Sequence, residues 1–94
     1  MKKELTPTAY QQLHRFAELT NRLILQGNIA RAQRCLNTAE QLFLSGNKLL
    51  QDNISTIYVF SVSTFMELHQ LNVKSFFPPK LKQAYQQQTH ASSL

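Results

Sequence analysis

Side chains that commonly bind metal ions or act as nucleophiles are few in this sequence and lie far apart. The chain has one cysteine, Cys35, and three histidines, His14, His69 and His90. Metal sites normally use three or four clustered ligands, and these residues fall on separate predicted elements. His14 and Glu18 are one helical turn apart, but two ligands on an outer face do not make a site. We predict no metal site and no cofactor.

The acidic residues are equally poorly placed for acid–base catalysis, which needs carboxylates that converge on one site. The five acids are Glu4, Glu18, Glu40, Asp52 and Glu67. None are paired along one predicted face toward the core. The two glycines, Gly27 and Gly46, are isolated and cannot form a glycine-rich phosphate loop. We therefore predict no catalytic residue and a protein that is not an enzyme.

The net charge of +5 comes from a shortage of acids. Ten Lys and Arg face five Asp and Glu, and charged residues make up 16% of the chain, against about 25% in typical domains. This balance predicts a weak, long-range attraction for polyanions. It also leaves open a nucleic-acid-binding alternative, with Arg31 and Arg34 on the second predicted helix as polyanion contacts.

A helix-turn-helix DNA reader would carry base-reading side chains where Arg31 and Arg34 lie. However, the first two predicted helices are each about 18 residues long, with continuous apolar stripes. Such stripes favour antiparallel packing along the whole length over the steep crossing of that motif. The sequence therefore predicts that any binding of DNA or RNA is weak.

Two Gly-Asn pairs, Gly27-Asn28 and Gly46-Asn47, divide the chain into helices. Glycine can adopt the left-handed conformation that ends a helix, and asparagine can cap the next one. Thr6 and Pro7 begin the first helix, and Pro78-Pro79 requires an extended Phe77 before the last. We predict an all-α fold in a single domain over 1–94. Its helices are expected at about 8–26, 28–45, 48–71 and 79–88, with a frayed end over 89–94.

The third predicted helix is apolar around most of its circumference and must be covered on most sides. Two amphipathic helices and a short fourth one leave four of its residues as the candidate interaction surface: Val59, Phe60, Val62 and Met66. The preferred interpretation is a helical protein–protein interaction module, covered by a second copy as a homodimer or by another protein. In the alternative, a monomer, the fourth helix and the Phe76-Phe77 linker cover this surface.

The remaining features of the sequence concern where in the cell the protein is expected. No apolar run approaches the roughly 20 residues that span a bilayer, so no membrane contact is expected. The single cysteine forms no internal disulfide, and the basic N-terminus is not followed by the apolar stretch of a secretory signal. These observations predict a cytoplasmic protein.

Two resemblances add to this interpretation. The spacing of Gly27, Ala32, Leu36 and Ala39 resembles a single tetratricopeptide-type hairpin, although Thr20 stands where that family prefers a small residue and no second repeat follows. More broadly, the chain resembles a small family of uncharacterised bacterial helical proteins. The residues that carry this second resemblance are Leu25-Gln26-Gly27-Asn28, Ala39-Glu40, Gly46-Asn47, Tyr58-Val59-Phe60-Ser61 and Phe77-Pro78-Pro79-Lys80-Leu81. It implies an all-helical fold and a bacterial origin, and it supplies no functional residue.

Overall fold

Helices account for most of the chain that the structure describes. The computed structural model describes residues 7–92, with side chains over 10–88. The predicted cap at Thr6 therefore lies outside the described residues. The elements are α1 (Pro7–Leu25), α2 (Ile29–Ser45), α3 (Lys48–Asn53), a π-helical segment (Ile54–Val59), α4 (Phe60–Leu68), α5 (Val73–Phe76) and α6 (Pro79–Ser92). The described residues contain no strand, and the predicted all-α fold is confirmed.

The turn between α1 and α2 has the conformation that its glycine predicts. Gly27 has φ +80°, and its N–H donates to the Ile24 carbonyl at 3.0 Å, while the Asn28 N–H donates to the Leu23 carbonyl at 2.8 Å. These two bonds form a Schellman motif. The Asn28 side chain then accepts from the Arg31 N–H at 3.4 Å and caps α2. One dipeptide thus ends α1 and begins α2.

Gly46 performs a different task from the one predicted. Its φ of −86° and ψ of 163° are extended, so the expected left-handed conformation is wrong at this position. A β-carbon there would lie 2.8 Å from the Leu42 carbonyl oxygen and 2.6 Å from Leu50 Cδ2. Glycine is needed because the backbone passes too close to its neighbours. The predicted cap at Asn47 is present, accepting from the Leu50 N–H at 2.9 Å.

Gly27→Ala is expected to destabilise the protein by about 1 kcal/mol, because a β-carbon is disfavoured at positive φ. In a domain of this size the melting temperature should fall by about 4–8 °C. Thermal melts followed by circular dichroism measure this change. Gly46→Ala should also destabilise, through steric contact rather than backbone conformation. A Gly27→Ala variant with the same melting temperature as the parent would contradict the role assigned to the left-handed turn.

The third predicted helix is continuous but not regular. α3, the π segment and α4 form one central helix, in which the Phe60 N–H reaches back five residues to the Ser55 carbonyl. It ends at Leu68 rather than at residue 71. The Gln70 and Leu71 N–H groups donate to the Glu67 and Met66 carbonyls at 3.1 and 2.8 Å. Because the left-handed residue is Gln70, at φ 59°, this second Schellman motif carries no glycine.

The connection to α6 contains a short helix that the sequence pattern did not reveal. Asn72 caps α5, accepting from the Ser75 N–H at 3.3 Å. Phe77 is extended as predicted, with φ −75° and ψ 136°, and its side chain is buried. α6 continues past the predicted end at residue 88 to Ser92, since no glycine or proline interrupts it. The helix is thus four residues longer than predicted, and the predicted fraying of this end stays a prediction.

The central helix supplies more of the buried core than any other helix. α1 packs along the π segment and α4, and α6 packs across the π segment and α2. The largest side chains that are fully buried are Tyr58, Leu36, Ile54, Met66, Leu81, Val59, Val62 and Thr20. Cys35 is half-buried against this core. Among the described residues, no helix is both long enough and apolar enough to cross a bilayer.

Candidate interaction surface

The surface predicted on the central helix is largely internal. Val59, Val62 and Met66 have no exposed area, and only Phe60, at 59% exposed, faces solvent. The prediction is wrong for the first three, because α1 and α6 cover the helix from two sides and α5 contacts its end. The cover that the sequence left undecided is thus supplied by the chain itself. Phe60 remains as an isolated exposed aromatic.

A buried pair of hydroxyl groups joins α1 to the π segment. The Tyr58 and Thr20 side-chain oxygens lie 2.8 Å apart, and the Thr20 hydroxyl donates to the Phe16 carbonyl at 2.9 Å. The Tyr58 hydroxyl therefore donates to Thr20. Burial raises the pKa of Tyr58 well above its ordinary value. The Cys35 thiol also acts on Tyr58 and adds to the rise of its pKa. The hydroxyl pair holds α1 against the π segment, which is a structural role.

The raised pKa of Tyr58 predicts a loss of stability in alkali. Below about pH 10 this tyrosine is neutral in both states, and above it only the unfolded chain can ionise. Stability should then fall by up to about 1.4 kcal/mol per pH unit. Urea denaturation at about pH 8 and about pH 11 measures the loss. Tyr58→Phe should lose less stability over that range, and equal losses would contradict the assignment.

The two predicted polyanion contacts lie on the outer face of α2. Arg31 and Arg34 are both exposed. The ion pair within 4.0 Å among the described side chains joins Lys48 to Asp52 at 3.2 Å, so no described carboxylate neutralises either arginine. Their positive charges are available to a partner.

Glu40, the acid on α2, points the other way. It is 8% exposed and accepts hydrogen bonds from the first turn of α6. Its Oε1 lies 3.1 Å from the Lys80 backbone nitrogen and 3.0 Å from that of Leu81, and its Oε2 lies 3.1 Å from the Lys80 nitrogen. A carboxylate at a helix N-terminus satisfies unpaired N–H groups and the positive end of the helix dipole. Glu40 thus acts as the cap that Pro78 cannot provide.

Two other acids are also engaged within the chain. Asp52 accepts from Lys48 one turn earlier, and Glu67 accepts from the Tyr85 hydroxyl. Glu18 is exposed on α1, away from the α2–α6 packing. Hydrogen bonds inside the molecule therefore occupy three of the four described carboxylates.

The exposed charged side chains that the structure describes on α2, α5 and α6 are consequently all basic. α2 and α6 are joined by Glu40, and α2 and α5 by the Gln33 amide, which donates to the Phe76 carbonyl at 2.8 Å. Beyond Glu67 the sequence contains no acid. We call the cations of these three helices the basic side, defined by Arg31, Arg34, Lys74, Lys80 and Lys82, of which Lys82 is half-buried. Sequence reasoning identified the two arginines, and it missed the lysines because only the fold brings α5 and α6 beside α2.

A polar cleft of about 190 Å³ borders the basic side between α3 and α6. Its lining includes Lys48 and Asp52 from α3 and Lys80, Gln83 and Gln87 from α6. The Lys48–Asp52 pair neutralises itself, and few apolar groups line the cleft, whereas small-molecule sites are mostly apolar. Among the described residues, no three His, Cys, Asp or Glu side chains are grouped to hold a metal ion.

Comparison with known proteins identifies a family without an assigned activity. The sequence model described as "Domain of unknown function (DUF7674)" matches residues 1–91, so the chain belongs to that family. Neither the curated proteins nor the solved structures gave a significant match. The match confirms the predicted resemblance to a family of uncharacterised helical proteins.

Proposed function

Taking membership of this family as the premise, we propose that the chain is a non-catalytic protein–protein interaction module that binds an acidic partner through the basic side. The observation that supports this proposal is the opposite placement of acids and bases. Glu40 is turned inward to cap α6, while Arg31, Arg34 and Lys80 face solvent. The positive electrostatic potential of these residues accelerates the association of acidic partners and disfavours that of basic ones.

A protein partner fits this surface better than a second copy of the chain. Two copies would bring like charges together at the basic side, which disfavours association by several kcal/mol. The apolar surface that motivated a homodimer is also mostly buried, since Val59, Val62 and Met66 have no exposed area. The proposal therefore keeps the interaction module and replaces self-association with an acidic partner.

Co-purification from the native host tests this function. The tagged parent is compared with a basic-side variant, Arg31→Glu/Lys80→Glu, and with Arg15→Glu/Arg22→Glu on α1, which changes the net charge equally. We expect a protein partner to remain bound to the parent and to the α1 variant, and to be lost from the basic-side variant. The partner should also dissociate in high salt. Equal retention by both variants would count against the proposal.

Weak nucleic-acid binding is the second candidate, supported by the exposure of Arg31 and Arg34 without a neighbouring carboxylate. Binding of DNA or RNA should then be independent of sequence. The slope of log affinity against log salt should lose about one phosphate contact for each arginine replaced by alanine. Fluorescence polarisation over a salt series measures that slope. A tight, sequence-selective complex that the double variant abolishes would favour this candidate over the first.

A further inference from the structure

We infer that the outer face of α2 is the docking face of this module, and that its occupant is an acidic amphipathic helix of a partner protein. This inference rests on the proposed function and specifies its surface and partner. The outer face is defined by five exposed residues: Arg31, Arg34, Thr38, Gln41 and Leu42. α1, α3 and α6 pack against other parts of α2, and the helix carries no exposed acid.

The first argument is that the charges on α2 oppose its own dipole. Arg31 is the third helical residue after the Asn28 cap, a position where a capping box carries Glu or Gln. The first turn contains no acid and the last turn no base. Cations near a helix N-terminus are unfavourable. A local preference that is violated without a compensating contact is typical of functional sites.

A second argument comes from the apolar end of the same face. Leu42 is 40% exposed and lies at the C-terminal end of the outer face. Protein interfaces combine apolar residues with arginine. Single-stranded nucleic acid instead needs aromatic side chains between the bases, and this face presents none. The mixture therefore favours a protein segment over nucleic acid.

The order of charged and apolar residues along this face also predicts the sequence pattern of the partner helix. α2 has 17 residues and is about 26 Å long. A partner helix lying along it would meet the two arginines and the positive helix end in one half, and Leu42 in the other. Its carboxylates should therefore cluster in one half and its apolar residues in the other.

A peptide of about 18 residues, with glutamates in one half and a leucine stripe in the other, is the probe. We expect binding to the full chain with a Kd of about 1–100 μM by titration calorimetry at physiological salt. Arg31→Glu/Arg34→Glu and Leu42→Gln should each weaken binding about tenfold or more. Arg15→Glu, on α1, should change it less than about twofold, since salt screens distant exposed charges. A peptide with lysine in place of glutamate should not bind.

The melting temperature of the free protein distinguishes a binding role of Arg31 from a structural one, because the two roles predict changes of opposite sign. Arg31→Glu should raise the melting temperature of the free protein by about 2–5 °C while binding is lost. Arg15→Glu lies in the middle of α1 and should leave the melting temperature nearly unchanged. A lower melting temperature for Arg31→Glu would overturn the inference, because the arginine would then be part of the fold.

Three further results would overturn this docking face. They are unchanged peptide binding by the arginine pair variant, tighter binding of a single-stranded DNA oligonucleotide than of the peptide, and a dimer of the parent that Arg34→Glu dissociates. Failure of the peptide to bind would also overturn it. The proposed function itself would survive these results if a co-purified protein depended on Lys74 and Lys80, and would fail with them if no such protein were found.

Discussion

Met66→Glu is expected to unfold this protein, whereas Phe60→Glu should leave it folded. Both residues belong to α4 and both were predicted to lie on one interaction surface. Met66 has no exposed area, so a glutamate there would place an unpaired charge in the core at a cost of several kcal/mol. Small domains have total stabilities of only about 5–15 kcal/mol. The substitution should therefore remove most or all of the folded population.

Phe60 provides the matched control for this prediction. Its side chain is 59% exposed, and surface substitutions usually change stability by less than about 0.5 kcal/mol. Far-ultraviolet circular dichroism and urea denaturation of both variants, with the molecular mass from light scattering, separate the outcomes. A folded Met66→Glu variant that is monomeric while the parent is a dimer would restore the original prediction of a self-association surface.

Local sequence signals predicted the parts of the fold that depend on single residue types. Gly27 marks a left-handed turn because a residue with a β-carbon is disfavoured there. The equivalent motif at the end of α4 uses Gln70, at φ 59°, and leaves no such mark. The helix end was misplaced for this reason. The π segment was missed as well, since it interrupts neither the apolar pattern nor the helix.

The candidate surface was harder to predict, because it depends on contacts between distant parts of the chain. Glu40 meets Lys80 across 40 residues, and Thr20 meets Tyr58 across 38. Helical periodicity placed Glu40 on the second predicted helix, but it could not predict that this side chain faces α6. One signal was available: α6 begins at Pro79, and Pro78 before it has no side chain that could cap the helix. A helix of that kind requires an acceptor from elsewhere in the fold.

Glu40→Ala is expected to destabilise the protein by about 2–4 kcal/mol. The substitution would leave the Lys80 and Leu81 N–H groups without their acceptor, and the Leu81 side chain is fully buried. It would also remove the negative charge that balances the positive end of α6. Hydrogen bonds to charged groups contribute about 1.5–3 kcal/mol each, more than the roughly 1 kcal/mol of an ordinary cap.

Glu18→Ala, an exposed change on α1, is the control and should shift stability by less than about 0.5 kcal/mol. Urea denaturation gives the change in the free energy of unfolding, and hydrogen exchange locates it. In Glu40→Ala the α6 amides should exchange faster than those of α1, because α6 is polar and is held to α2 by this carboxylate. Glu40→Gln should lie between the parent and Glu40→Ala, since one amide oxygen can still accept. A Glu40→Ala variant as stable as Glu18→Ala, with unchanged exchange in α6, would show that the first turn of this helix finds its hydrogen bonds elsewhere.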